Sequence, residues 1–533
     1  MDGRQSGRAV DNKRPLQGML TRSGTRLIAL GVLAWSSLVF GVDDSSVPGN
    51  TCIHCHATKQ TGFSAPHSFG TVSCISCHAG DDRADTIDGS HIGLIAFPGN
   101  LENADRACGS CHANRVDSVK HNLMHTGHGI VDVTRKLIDG HAGTNDTANL
   151  QSLEHSAADS MLRKLCASCH LGQKKTEHQL DPTRDRGGGC LACHINDYPA
   201  DAHAALTTKV SDARCFGCHS RSGRISLSYA GLAEVIPSSS EATTGKLRLA
   251  DGRYVERMPA DVHYLAGMSC IDCHTSVGLM GAAGEAGHQR GAVDIACTDC
   301  HNNGDDEFPL THKEGTPLLH IQVRDDGTWL HTRNTNRTLK IPALESEFHS
   351  TDDRHDRLTC AACHSQWVPQ CFGCHMEYDA DGSQWDHVDK AVTPGRWKEQ
   401  RSDVRNAPGA LGVNADGHIE AFIPGMIMTV SHPDWNDDKF LRVFAPLSPH
   451  TTGAARSCES CHRSTVSVGL GEGKIVERSG ELHFLPAHES LQDGLPKDAW
   501  TNLDGSLGGD TPLPEQRPLD ANEIEAVLSA PLD

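Results

Sequence analysis

The sequence predicts a mostly irregular chain, with short α-helices wrapped on covalently attached cofactors and several β-hairpins in the C-terminal half. Three observations lead there. All 22 cysteines fall in eleven Cys-x-x-Cys-His motifs, and none is left over. Hydrophobic residues are only 37% and aromatics 5% of 533 residues, which is thin material for an ordinary core of this length. Alternating runs joined by Asp-Gly or Ser-Gly recur between the later motifs, the pattern of hairpins.

The motif cysteines are Cys52 and Cys55, Cys74 and Cys77, Cys108 and Cys111, Cys166 and Cys169, Cys190 and Cys193, Cys215 and Cys218, Cys270 and Cys273, Cys297 and Cys300, Cys360 and Cys363, Cys371 and Cys374, Cys458 and Cys461. The histidines that close them are His56, His78, His112, His170, His194, His219, His274, His301, His364, His375 and His462. This spacing is the attachment signature of c-type haem. On a helical turn, residues i and i+3 share a side and i+4 lies beside them. Two sulfurs then reach one haem edge while the imidazole swings under the iron. Zinc accounts for cysteine pairs but not for a histidine after each of them. Disulfides make no demand on the next residue, and a thioredoxin-like motif occurs once, not eleven times. The reading is eleven covalently attached haems c, with the motif histidines as proximal iron ligands. Eleven porphyrin faces supply the apolar surface that the composition lacks, so the chain without haem is not expected to fold.

Residues 1–41 read as a Sec signal peptide: a basic stretch ending at Arg22 and Arg26, a short apolar run from Leu27 to Val42, and small residues before a cut after Gly41. Sixteen apolar residues are short for a membrane span. The expectation is an exported chain in the periplasm, or secreted or at the cell surface, with no stable membrane insertion. The whole sequence carries a formal charge of −20, and residues 1–41 hold six basic and two acidic residues, so the remainder is near −24. Such acidity disfavours nucleic acid and favours partners with a basic docking face.

Motif spacing divides the rest. Residues 42–220 form a haem-dense segment with six motifs, and residues 221–503 hold five more among β-hairpins. Residues 504–533 are a Gly- and Pro-rich tail ending in a short helix, with Asp520 as N-cap and Glu523 three residues on. A helix enters the fourth motif through Met161, Leu162 and Leu165. The hairpins are 246–256, 320–332, 412–422 and 474–485. The ninth and tenth motifs, eleven residues apart, are expected to hold two haems almost in contact.

Outside the motifs, many histidines stand shortly before a motif and are candidates for the second axial position. They are His67, His155, His178, His203, His263, His288, His349, His355 and His450, joined by His121 and His125 from the cluster after the third motif. Methionine is scarce, so bis-histidine coordination and mostly low potentials are expected.

The motif array, with the segments DVHYLAGMSCIDCHT (261–275) and LTCAACHSQWVPQCFGCHMEYD (358–379), resembles the multihaem cytochromes c of bacterial respiration. That group includes the cytochromes c3 and c7, the octahaem hydroxylamine-oxidoreductase and tetrathionate-reductase relatives, and decahaem conduits. The resemblance implies bis-histidine haems in stacked or T-shaped pairs and periplasmic electron transfer. Reductases of this group use a Cys-x-x-Cys-Lys haem, which this sequence lacks. A hydroxylamine-oxidoreductase-like site uses an open haem aided by a tyrosine, for which Tyr264 and Tyr378 are the candidates.

Three functions follow. The first is a periplasmic electron carrier in anaerobic or metal-linked respiration, between redox proteins such as an inner-membrane quinol-oxidising cytochrome and an external acceptor. The second is an oxidoreductase for a small nitrogen or sulfur compound at one open haem, with His387, Arg396, His418 and His432 lining its pocket. The third is a subunit of a conduit through an outer-membrane barrel. No catalytic residue is assigned, and the balance leans away from an enzyme.

Overall fold

A single helical turn carries almost every motif. In the computed structural model the described residues are 51–533, except 61–62, 69–70, 141–147, 178–185, 197–202, 237–242, 282–286, 302–316, 345–348, 350–353, 447, 508–515 and 533. The signal-peptide reading and the candidate His178 lie outside them. Within them, ten motifs sit on α-, π- or 3-10-helical turns, such as Cys74–His78, Asp212–His219, Cys360–His364 and Cys458–His462. The closing histidine N–H donates back to the first cysteine's carbonyl at Cys52, Cys108, Cys190, Cys270 and Cys297, over 2.8–3.0 Å. Caps start several of these turns. Ser211 and Ser457 accept N–H bonds from Ala213 and Ser460, and Asp272 accepts the Ser269 N–H at 2.7 Å.

Among the described residues before 221 there is little longer structure. Helix His128–Ile138 buries Val131, Leu137 and Ile138. Its Arg135 makes a buried bidentate pair with Asp159 of helix Ala157–Met161, both bonds 2.7 Å. That second helix widens into a π-turn, Leu162–Cys166, and so delivers the fourth motif. Three successive left-handed glycines, Gly187, Gly188 and Gly189, precede the fifth motif. A Cβ on Gly189 would lie 2.2 Å from the Gly99 carbonyl oxygen, so only glycine lets these segments pass.

The C-terminal half is built on sheets. The largest runs Arg517–Pro518, Ala410–Val413, Ile419–Ser431, Cys374–Asp386, Ala391–Gln400, and Lys439–Pro446 also pairs with Ile419–Ser431. Only the pairing of Cys374–Asp386 with Ile419–Ser431 is parallel there; Met428 stands opposite Cys374. One face buries Met376, Trp397, Val430, Leu441 and Val443 against Leu137, Ile138, Ala158 and Met161. The tip of the 374–400 hairpin docks on the fourth-motif helix, where buried Arg163 meets Asp386 at 2.8 Å and Asp389 at 2.6 Å. These contacts cross residue 220, and Asn50–Asp533 packs as one compact unit.

Strands stand at all four hairpin positions: Leu247–Arg248 with Tyr254–Arg257, Ile321–Arg324 with Gly327–His331, Ala410–Val413 with Ile419–Ser431, and Gly473–Arg478 with Glu481–Pro486. They do not share a sheet; only the third joins the large one. The terminal helix is Ala521–Ser529, capped by Asp520 and Glu523 in reciprocal 2.9 Å bonds.

Candidate metal-binding centres

Seven motif histidines each face one further imidazole. His56 faces His91 with ring centroids 6.3 Å apart, His112 faces His67 at 6.3 Å, and His78 faces His203 at 6.2 Å. His301 faces His263 at 6.2 Å, His274 faces His450 at 6.1 Å, His364 faces His349 at 6.2 Å, and His462 faces His355 at 6.1 Å. Two imidazoles bound trans to one metal, each through a bond of about 2.0 Å and with each ring centre set behind its nitrogen, have centroids about 6 Å apart. The spacing fits one haem iron between each pair.

The ring nitrogens agree. A metal-binding imidazole presents Nε2 when Nδ1–H is engaged elsewhere. The Nδ1 of His78, His194, His301, His364 and His462 lies 2.7–3.0 Å from the carbonyls of Ile95, Thr207, Pro342, Gly453 and Val527. Among the facing rings, the Nδ1 of His91, His203 and His450 meets the carbonyls of Ile87, Ala204 and Ser448, each at 2.8 Å. His263 differs: its Nδ1 meets the Asp261 carboxylate at 2.9 Å.

The thiols form a row. Side-chain contacts join Cys52 to Cys74, Cys108 to Cys190, Cys169 to Cys218, Cys215 to Cys270, and Cys297 to Cys360. Cys77 lies in the field of Cys108, Cys193 of Cys215, Cys273 of Cys300, and Cys363 of Cys461. The motifs therefore follow one another as first, second, third, fifth, sixth, seventh, eighth, ninth and eleventh, with the fourth joined at the sixth. Residues of all ten except the first line one continuous cavity of about 4630 Å³. Burial pushes the Cys193, Cys273 and Cys300 thiols up to about 12. A thiolate is costly in such walls, whereas an uncharged thioether is at home there.

The tenth motif departs from the expectation. Cys371 lies on strand Val368–Phe372 and Cys374 on strand Cys374–Asp386, separated by left-handed Gly373. Sheet pairing of Cys371 with Val404 and of Cys374 with Met428 overrides a one-turn helix. Cys360 and Cys363 look toward Cys297 and Cys461, while Cys371 looks toward Arg224 and its own Cys374.

The second-ligand candidates divide. His67, His203, His263, His349, His355 and His450 face motif histidines, mostly not of the motif they precede in sequence. His288 instead faces His128, at 5.9 Å. His121 bonds the Asp117 carbonyl and is exposed, as is His155. Neither meets a motif ring among the described residues. His125 contacts Gln151 within 3.0 Å and stands in the field of His170, and burial lowers both imidazoles to about 4. His91 was missed, since it follows a motif by thirteen residues and precedes none closely.

The pocket expected from the last long spacer is not assembled. His432 stacks on Tyr378 at 4.6 Å within an aromatic cluster with Trp397 and Trp435. Arg396 and His418 are exposed on separate elements, and His387 lies near His170. Tyr378 is packed in the sheet core, and Tyr264 contacts Tyr229 at 5.4 Å.

The terminal helix holds the eleventh motif, because its Val527 carbonyl accepts from His462 Nδ1. Burial alone would raise the Glu523 pKa. Bonds from Arg517, the Asp520 N–H and Arg357 outweigh it and hold the carboxyl at about 2. A depressed carboxyl stabilises above its unfolded pKa and loses that contribution as pH falls toward the folded value. Docking of this helix is therefore expected to weaken between about pH 4.5 and 2. Glu523→Gln should cost about 1 kcal/mol at pH 7 and blunt that dependence, read by hydrogen exchange of residues 521–529.

No helix among the described residues is long and apolar enough to cross a membrane. No protein-family model, curated protein or solved structure matches the chain.

Proposed function

We propose that the chain is a multihaem c-type cytochrome that carries electrons along a row of covalently attached haems. The observation that carries this reading is the set of seven facing imidazole pairs at 6.1–6.3 Å. Haem supplies a one-electron iron couple at each motif. The protein's own residues do the rest. The cysteines would tether and space the groups, and the closeness of thiols in successive motifs would keep neighbouring groups near enough for electrons to pass without a moving part. At seven motifs the paired imidazoles would hold an iron from both sides, which would disfavour substrate binding there. Carbonyl acceptors on Nδ1 fix ring orientation. The acidic surface suits redox partners with a basic face. Export to the periplasm belongs to the same proposal, because haem attachment of this kind and the basic-then-apolar N-terminus go together.

Peptide mass spectrometry of the purified holoprotein tests it, with electron paramagnetic resonance of its oxidised form. Eleven haem-bearing peptides are expected, including the one with Cys371 and Cys374, and predominantly low-spin signals. Free thiols at the helical motifs would overturn the haem reading. A large high-spin signal perturbed by nitrite, hydroxylamine or sulfite would turn it toward an enzyme.

A further inference from the structure

The Nδ1 of His263 meets a carboxylate. Asp261 is buried, with 2% of its surface exposed, and caps helix Val262–Ala266. Its Oδ1 accepts from the His263 backbone N–H at 2.8 Å and stands 2.9 Å from His263 Nδ1. Its Oδ2 accepts from the Thr452 N–H at 2.6 Å, which leaves the carboxylate little freedom to turn away. The described Nδ1 bonds of the other axial imidazoles end on neutral carbonyls.

The difference has an electronic consequence. A charged acceptor draws the Nδ1 proton more strongly than a carbonyl does and makes the ring a stronger donor through Nε2. A stronger donor favours ferric over ferrous iron and lowers the potential of the couple it ligates. His263 faces His301, so the affected centre is the eighth. Cys273, in the field of Cys300, and the contact of Cys297 with Cys360 set that centre between the seventh and the ninth.

Resting on the haem reading above, we propose that Asp261 lowers the potential of the eighth centre below that of the second, whose facing imidazoles both bond carbonyls through Nδ1. It thereby sets an energetic step within the row, at the centre that joins the seventh to the ninth. Asp261 is a positioning residue that acts through His263. The two parts of the row then fill as separate electron pools, exchanging across the step.

Redox titration of the full holoprotein, followed by electron paramagnetic resonance, tests this in wild type, Asp261→Asn and His263→Met. Asn keeps the cap acceptor and removes the charge. Second-sphere partners of metal ligands typically change affinity by about tenfold or more. A tenfold change in the ferric-to-ferrous preference is ~59 mV for one electron. One midpoint is expected to rise by about that much in Asp261→Asn, with one low-spin signal altered and the other midpoints in place. In His263→Met the same midpoint should move further upward. Midpoints unmoved in Asp261→Asn, or a different midpoint moving in His263→Met, overturn the proposal while leaving the haem reading standing. Absence of haem from the peptide with Cys297 and Cys300 would instead defeat the reading on which it rests.

Discussion

Chain produced without haem attachment is expected to show no cooperative thermal transition by circular dichroism. The reason is the continuous cavity of about 4630 Å³, which residues of nine motifs line. Kept dry, such a void would cost on the order of 100 kcal/mol at the usual penalty per unit cavity volume. A folded domain has a margin of about 5–15 kcal/mol. Flooding the void avoids that cost but leaves wall residues such as Ile130, Val262 and Val293 in water. A hydrophobic cluster stands apart from the cavity in the C-terminal sheet, around Phe422, Phe444 and Trp500. Residual strand signal there is compatible with the expectation. A sharp melt with native-like helix content would contradict it and would mean that the fold does not depend on filled motifs.

Replacing His450 should produce the largest local change. His450 faces His274 at 6.1 Å, at the seventh centre, in the interior of the row. Its backbone is left-handed, φ 55°, a conformation that costs a non-glycine residue roughly 1–2 kcal/mol. The Nδ1 bond to the Ser448 carbonyl helps hold the ring in place despite that cost. His450→Ala keeps the backbone cost and removes the ligand, whereas His450→Gly removes both. In either variant one low-spin signal should be replaced by a high-spin one. Greater stability of the Gly variant would separate backbone strain from ligand loss. His450→Met should instead raise one midpoint by on the order of 0.1 V, a fraction of the ~0.8 V over which axial ligands tune haem. An unchanged set of low-spin signals in the Ala variant would show that His450 is not a ligand.

Together with Asp261→Asn these substitutions separate two levels of control. His450 decides whether an imidazole is present at all. Asp261 decides how strongly an imidazole already present donates.

Local features were legible in the sequence because local chemistry produces them. The cysteine and histidine spacing matches one helical turn. Asp-Gly and Ser-Gly between alternating residues give tight hairpins, and Asp520 with Glu523 caps the terminal helix whatever surrounds it. The 374–400 hairpin was not read. Its alternation of buried Cys374 and Met376 with exposed His375 and Glu377 lies partly within a motif that elsewhere means a turn of helix. Strand 419–431, far along the chain, pairs with its first strand, as 403–407 pairs with 368–372, and these backbone bonds make the motif sheet.

The sequence by itself determined how many attachment motifs there are, which residues belong to them, and that histidines abound to face them. Only the tertiary structure decided which histidine faces which motif and in what order the motifs stand. His67 passes over the nearby second motif to face the third, His203 returns to the second, and His450 reaches back to the seventh. The physical reason is that an axial ligand needs only to lie on the normal through the iron. Any segment that the packing brings to that face will serve, and proximity along the chain carries no weight in that choice.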